Sequence, residues 1–286
     1  MNYSVAIVDS GSSKADWVFT SGHHRLLLEL PGYNPLITNP EQYVNTVTAS
    51  LPPVIISAEI KAIYFYAAGM TGSDRLQQGA TMLRALFPQA RLTLDSDLLG
   101  AALAVCGNEP GLVGFLGTGS NACYFDGTNI RAGSNSLGWI LGDEGSGTYL
   151  GKQLVKDYFY YLLPSDLSLM FSEEYKLTKD ALLDAVYRQP RPNFFLASFA
   201  DFLGKHRDHP YVQVLLDQAF SQFAEKHLLR FRQFRYLRTH LIGSIAFHFA
   251  DLVSKALAKY DLPVGLIIKK PIDRLVDLIE GQHFKQ

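Results

Sequence analysis

The sequence predicts an α/β protein made of two similar halves, the second enriched in helices. Three observations lead there. Short apolar runs alternate with segments of helical spacing, the pattern of strands interleaved with helices. The opening VAIVDSGSSKADWVF is matched about a hundred residues later by LVGFLGTGSNACYFD, each a hydrophobic strand, a Gly/Ser/Thr turn and a second strand. Self-similarity on that scale marks an internal duplication. Finally, 286 residues at 48% hydrophobic content suit one large or two medium domains with ample core.

Taken in order, SVAIVDS (4–10) reads as a buried strand, GSSKA as a turn, and DWVFTSG and RLLLELPG as two further strands of a meander. NPEQYVNTVTASL (39–51) has helical spacing. KAIYFYAAG (61–69) is a strand ending in small residues, and SDRLQQGATMLRALFP (73–88) an amphipathic helix with a capping serine. ARLTLDS (90–96) is a strand and DLLGAALAVCG (97–107) a small-residue helix. The design then restarts: GLVGFLGTGS (111–120), ACYFDGT and IRAGS form a second meander. Residues 146–230 read as several helices, broken near Pro164, Pro190, Pro192 and Pro210. A strand, a Gly-Ser turn and a helix follow within 236–261, then the strand VGLIIKKP and the helix IDRLVDLIEGQ.

Composition excludes several classes. A formal net charge of −1 leaves no basic surface for general nucleic-acid or anionic-membrane binding. The densest basic run, Arg230, Arg232, Arg235 and Arg238, is interleaved with Phe231, Phe234 and Tyr236 and reads as a solvated helix face. Two cysteines, Cys106 and Cys123, cannot scaffold a chain of this size and imply a reducing compartment. The N-terminus has no basic n-region and reaches Asp9 after a short apolar run, so it reads as a strand and not a signal peptide. No window of about eighteen apolar residues exists to span a bilayer. The expectation is a cytoplasmic protein with no nucleic-acid or membrane partner. The eight histidines show no metal-ligand spacing, and Tyr158, Phe159, Tyr160 and Tyr161 read as a helical packing or dimer face.

The chemistry sits in the turns. D-S-G-S-S-K (9–14) joins two strands and presents backbone N–H groups and hydroxyls to one point, a cradle for phosphate oxygens, with Lys14 adding charge. It is not a P-loop, because it lies between strands instead of before a helix. An ordinary hairpin connection explains the turn alone equally well. G-T-G-S-N (117–121) repeats the design, and Gly243-Ser244 follows a strand and opens a helix, where negative charge is favoured. Asp97 begins the helix after the fifth strand. It serves there either as an N-cap or as a proton acceptor from an attacking hydroxyl. Asp95, within the strand end, reads as structural. Asp143-Glu144, flanked by glycines, suits polyol hydroxyls, since a carboxylate accepts two at once.

Together these motifs resemble the actin–hexokinase–chaperone superfamily. D-S-G-S-S-K looks like its first phosphate motif, GFLGTGSN (114–121) its second and LIGSIA (241–246) its adenosine motif. Within it, SDLLGA (96–101), GTGSN and LGWILGDEGSG (137–147) are similar to the N-acetylglucosamine kinase branch grouped with BadF/BadG-type ATPases. The resemblance covers nearly the whole chain. It implies two duplicated actin-like (ribonuclease-H-like) domains with a nucleotide cleft between them, 1–104 plus 272–286 and 105–271. It further implies ATP and Mg²⁺ as cofactors, phosphorylation of an amino sugar at its 6-hydroxyl, and a family habit of dimerising. Carried over residue by residue, Asp97 matches the catalytic base and Asp9 the group that organises Mg²⁺ through water. Gly11, Ser12, Ser13, Lys14, Gly117, Thr118, Gly119, Gly243 and Ser244 match nucleotide contacts. Asn34, Asn121, Gly138 and Asp143 match the sugar side.

The chain departs from the family pattern at Ser10, Ser12 and Ser13, where glycines and threonine are usual. Leu137 stands in place of a tryptophan, with Trp139 two positions later, and Ala67-Ala68 replace a serine and glycine. These departures bear on which sugar is accepted, with glucosamine or another hexose as alternatives. Two readings of other classes remain. One is a BadF-type activator ATPase, which needs cysteines around an iron–sulfur cluster; the other is a non-catalytic nucleotide-binding protein. Neither cysteine lies in a glycine-rich context, which favours buried core positions.

Overall fold

A computed structural model describes residues 3–284 and divides the chain into two compact units. The first runs to residue 109, takes in 127–130 and recovers the chain from 271 onward; the second comprises 110–126 and 131–270. In the first unit β1 (Val5–Ser10), β2 (Lys14–Thr20), β3 (Arg25–Pro31), β4 (Ala62–Ala67) and β5 (Arg91–Ser96) form one sheet in the order β3-β2-β1-β4-β5. β1 pairs antiparallel with β2 and parallel with β4, which pairs parallel with β5. The nearly unbroken apolar run of β1 is what a strand covered on both faces requires. On one face Ala6 and Val8 pack with Trp17, Phe19 and Phe65. On the other, Val5, Ile7 and Val18 meet Ile272, Leu275, Val276 and Ile279 of the C-terminal helix Ile272–His283. Arg25 fastens that helix through Asp277 and Glu280.

The second unit repeats the plan. β6 (Gly111–Leu116), β7 (Ser120–Phe125), β8 (Ile130–Gly133), β9 (Thr239–Ile242) and β10 (Val264–Ile268) lie in the order β10-β9-β6-β7-β8. β6 is antiparallel to β7 and parallel to β9, and β9 is parallel to β10. Reading β6 for β1 and onward in chain order reproduces the first sheet, so the duplication read from two turns holds strand by strand. The helices between 147 and 223 pack a core of aromatic side chains, among them Phe171, Phe199, Phe202, Phe220 and Phe223.

Several local expectations are corrected. Ser73 does not cap its helix: Gly72 occupies the N-cap position, and no side chain caps there. The arginine-rich stretch is not a regular helix face: Arg230 and Arg232 lie in a 3₁₀ segment, Leu229–Phe234, that follows a π-turn, Ala224–Leu228, and Arg235 and Arg238 lie beyond it. The aromatic tetrad is split. Tyr158 and Phe159 close the helix Gly147–Phe159 and pack on the core, whereas Tyr160 and Tyr161 lie beyond its end, Tyr161 with φ 59° and 93% exposed. A short helix, Pro53–Ile56, was not anticipated.

Gly32, just after β3, is held against the β1–β2 turn. A Cβ there would stand 2.1 Å from the Gly11 carbonyl oxygen and 2.7 Å from the amide nitrogens of Ser13 and Lys14. Backbone cannot yield as a flexible side chain does. Gly32→Ala is expected to destabilise the protein by about 1–3 kcal/mol, the range for overpacking. Gly133→Ala, where the added methyl meets nothing within 4 Å, should leave the denaturant midpoint near wild type. Equal midpoints for the two variants would show that the turn is not packed as described.

Candidate functional site

In the first unit the turn Gly11–Ser13 is clamped from one side by the segment after β3. The Tyr33 amide donates to Ser10 Oγ at 2.8 Å, and Asn34 Nδ2 donates to Ser12 Oγ at 2.9 Å. Asn34 Oδ1 accepts from the Leu36 amide at 3.0 Å. The Asn34 amide therefore holds its own turn and the serine turn together, a role the sequence did not signal. Lys14 does not point its charge into the turn: its Nζ pairs with Glu29 across β2 and β3 at 2.6 Å, both side chains largely exposed. Asp9 lies opposite Asp16 in the β1–β2 ladder. One or two carboxylates are what Mg²⁺ uses when water and phosphate oxygens complete its shell, so this pair fits such an ion.

Asp97 is the first residue of the helix Asp97–Cys106. The cap is Ser96, whose hydroxyl accepts from the Leu99 amide at 3.3 Å, so the N-cap reading of Asp97 is corrected. Asp95 Oδ1 accepts from the Ser96 amide at 2.7 Å and has the structural part expected of it. Burial pushes the Asp97 carboxyl above its ordinary value, with donation from the Leu98 amide opposing. A partly buried carboxylate with a raised pKa, freed from capping, has the properties of a proton acceptor. The Cys106 thiol is pushed up to about 12 by burial, which keeps it protonated and unlike a thiolate ligand.

In the second unit the turn after β6 is stitched to the start of the helix Gly147–Phe159. Gly117 N–H donates to the Gly119 carbonyl at 3.0 Å, Gly147 N–H to the Gly117 carbonyl at 2.8 Å, and Thr148 N–H to the Thr118 carbonyl at 3.1 Å. Gly243, with φ 123°, abuts the same place: a Cβ would stand 2.3 Å from the Leu116 carbonyl oxygen. Gly117, by contrast, has open space where its side chain would be. These contacts frame a cavity of about 800 Å³, within the range that takes drug-sized and cofactor-sized ligands. Gly117, Thr118, Gly147 and Ser244 line one part of it, and Phe194 and Asp201 stand on another. Its lysines and arginines are Lys205, paired with Glu174; Arg207, paired with Asp251; and Lys269, which makes no ion pair among the described residues. Two separately read motifs thus meet at one cavity. The helical wall was not legible, because nothing in local spacing marks Phe194 or Asp201 as facing inward. His248 also lines it.

Beside the cavity-lining turn lie the two carboxylates of G-D-E-G-S. Asp143 is 8% exposed, sits at φ 58°, a conformation uncommon for a residue with a side chain, and accepts from the Ser120 amide and, at 3.4 Å, from Ser136 Oγ. Its Oδ2 lies 2.9 Å from where a Gly119 Cβ would be, so a side chain at 119 would press on this carboxylate. Burial raises the Asp143 carboxyl above its ordinary value despite those donors. For Glu144 burial acts the same way. Donation from Lys226 at 2.8 Å and from its own backbone, together with its contact to His227 at 3.1 Å, outweighs it, and the net shift is downward. Asn121 Oδ1 accepts from the Ala122 amide and from Ser134 Oγ. Gly138, φ 72°, opens an exposed turn, Gly138–Leu141, whose Trp139 carbonyl accepts from Lys152 at 2.8 Å. No group of three or more metal-ligating side chains occurs among the described residues, and none of their helices is long and apolar enough to cross a membrane.

Comparison with known proteins gives a consistent result. A Porphyromonas gingivalis protein provisionally assigned as an N-acetylglucosamine kinase matches with 35% identity, over 98% of this chain and 99% of that one, at a TM-score of 0.91. A Chromobacterium violaceum protein with the same provisional assignment matches at 18% identity and TM-score 0.72, over 97% and 99% of the two chains. A glucokinase of the ROK family from Streptomyces griseus, solved with glucose and AMPPNP, shares the fold at 10% identity and TM-score 0.50, over 96% and 97%. No protein-family model matches the chain, and no curated protein is detectably similar to it.

The two cavity glycines should behave oppositely. Gly243→Ala combines a backbone conformation that side chains disfavour with a collision against the Leu116 carbonyl, and should cost about 2 kcal/mol or more. Gly117→Ala adds a methyl that meets nothing within 4 Å and should leave stability near wild type. Urea titrations of both variants at unchanged m-value measure this; a stable Gly243→Ala protein would contradict the close packing of β6 against the turn after β9.

Proposed function

The chain belongs to the N-acetylglucosamine kinase family of the actin–hexokinase–chaperone superfamily, and from that premise we propose that it transfers the γ-phosphoryl group of ATP to a hydroxyl of an amino sugar, N-acetylglucosamine at its 6-hydroxyl above all. The observation that carries this reading is the cavity of the second unit, where the G-T-G turn and Ser244 converge on a space of nucleotide size. Backbone N–H groups and the Thr118 and Ser244 hydroxyls suit phosphate oxygens, and Phe194 offers an apolar face for a base. AMPPNP and glucose in the Streptomyces griseus relative support the same pairing of ligands.

Phosphoryl transfer asks little covalent work of a protein: it needs an in-line acceptor, neutralised phosphate charge and a base. Asp97 takes the proton of the 6-hydroxyl as the new O–P bond forms and the bond to the ADP leaving oxygen breaks. Asp9 would hold Mg²⁺ through water, and the ion would supply charge neutralisation. For the sugar, Asp143, Asn121 and Gly138 are the candidates on the second unit and Asn34 the candidate on the first, with Asp143 also bracing the turn at 117–121. Because that carboxylate also holds the Ser120 amide, its removal should loosen the turn as well as the sugar side.

Asp97→Asn preserves size, and the cap at Ser96 is untouched. Turnover with the best sugar of a panel should fall by roughly 10²–10⁴-fold, while ATP and sugar binding and the melting temperature stay close to wild type. Activity within a few-fold of wild type would remove Asp97 from the mechanism. The wild-type pH profile is a second check. A raised carboxyl pKa keeps the proton on the base to higher pH, so activity is full above that pKa and is lost as pH falls through it. The acid limb of kcat/KM should therefore lie above the ordinary aspartate value of about 3.9. ATP hydrolysis unaffected by any sugar would favour an ATPase of another class.

A further inference from the structure

Resting on the sugar-kinase reading, we propose that His227 is a positioning residue for the sugar side of the site, acting through Glu144 and Ser134 on the loops that carry Asp143 and Asn121. His227 is 3% exposed and reaches both motifs at once. Its Nε2 lies 3.1 Å from Glu144 Oε2 and 3.4 Å from Ser120 Oγ, and its Nδ1 lies 2.9 Å from Ser134 Oγ. Ser134 Oγ in turn meets Asn121 Oδ1 at 2.7 Å and accepts from the Ala122 amide at 3.0 Å. One imidazole therefore ties the residue next to Asp143 to the side chain of Asn121, two positions the family motif places against the sugar.

The element that delivers the ring points the same way. His227 sits in the π-turn Ala224–Leu228, a widened helical turn of a kind frequently found at functional sites. The preceding residue, Lys226, uses the same turn to bond Glu144 Oε1 at 2.8 Å. Two consecutive side chains thus grip the two oxygens of one buried carboxylate. The ring also lies against Phe223, with centroids 5.4 Å apart and an interplanar angle of 29°, which fixes its plane. A buried, fully connected network of this kind specifies geometry more than it adds stability. Neither Glu144 nor His227 lines the nucleotide cavity, so its effect should fall on the sugar.

Steady-state kinetics of His227→Ala, His227→Gln and Ser134→Ala test this, with ATP and sugar varied in turn. His227→Ala should raise the sugar KM tenfold or more, with the ATP KM within about twofold and kcat within a few-fold. His227→Gln, whose amide can still donate to Glu144, should recover most of the loss. Ser134→Ala, which removes the hydroxyl joining His227 to Asn121 and leaves the contact to Glu144 in place, should give a smaller rise in the same direction at an unchanged melting temperature. Equal rises in both KM values, or a lowered melting temperature with wild-type kinetics, would overturn the proposal. If His227→Ala does not fold, the other two variants carry the comparison. If the wild type phosphorylates no sugar, the functional reading falls instead. Hydrogen exchange then decides the positioning role: amides of 121–123 and 143–146 should exchange faster in the variants, with 117–119 and 244–248 unchanged. No acceleration, or acceleration everywhere, would refute it.

Discussion

Two adjacent carboxylates, Asp143 and Glu144, are buried side by side, and much of the second unit follows from satisfying them. A buried carboxylate without partners costs several kcal/mol or neutralises itself, so each must find donors. Glu144 finds Lys226 and His227, which requires the chain at 224–228 to open into a π-turn. Asp143 finds the Ser120 amide, close against the second glycine of the G-T-G turn, and sits at φ 58°. The turn so held then sets the carbonyls of Gly117 and Thr118 against the start of the helix Gly147–Phe159.

The duplicated sheets make the comparison with the first unit informative. Both central strands end in a Gly/hydroxyl turn, yet each turn is braced differently. In the second unit a charged side chain does it. In the first, the backbone at Gly32 and the side-chain amide of Asn34 press on the serine turn from the segment after β3. A serine turn can be held by neutral hydrogen bonds because its hydroxyls accept and donate locally. That explains how Ser10 and Ser12 can replace residues usual in the family: Ser10 Oγ takes the Tyr33 amide and Ser12 Oγ takes the Asn34 amide.

What was legible in the sequence was periodic or punctuated. Ten strands, the internal repeat and the turns at 11–13, 117–119 and 243–244 could be read because glycines and apolar runs report local backbone requirements. Contacts between side chains distant in sequence could not. Nothing near Lys14 announces Glu29 across the strand pair, and nothing near Glu144 announces a histidine more than eighty residues on. The cap at Ser96 in place of Asp97 was lost for a subtler reason. Two capping-competent residues stand in succession, and a one-residue shift in where the helix begins decides between them. The helical wall bearing Phe194 failed because aromatic helices between 147 and 223 pack a core in the same pattern that lines a cavity.

The environments of neighbouring carboxylates also divide their labour. Within one dipeptide, Glu144 is drawn below its ordinary pKa and Asp143 pushed above it. Both are buried, so burial is common to the two and the donors make the difference. Glu144 has an ammonium and an imidazole, whereas Asp143 has one backbone amide and a hydroxyl at 3.4 Å. Glu144 is thus saturated and can only anchor. Asp143 is held more lightly, by one backbone amide and a long hydroxyl contact, and its carboxyl keeps lone pairs that the turn does not use. The saturated Glu144 beside it fixes the backbone that carries that carboxyl.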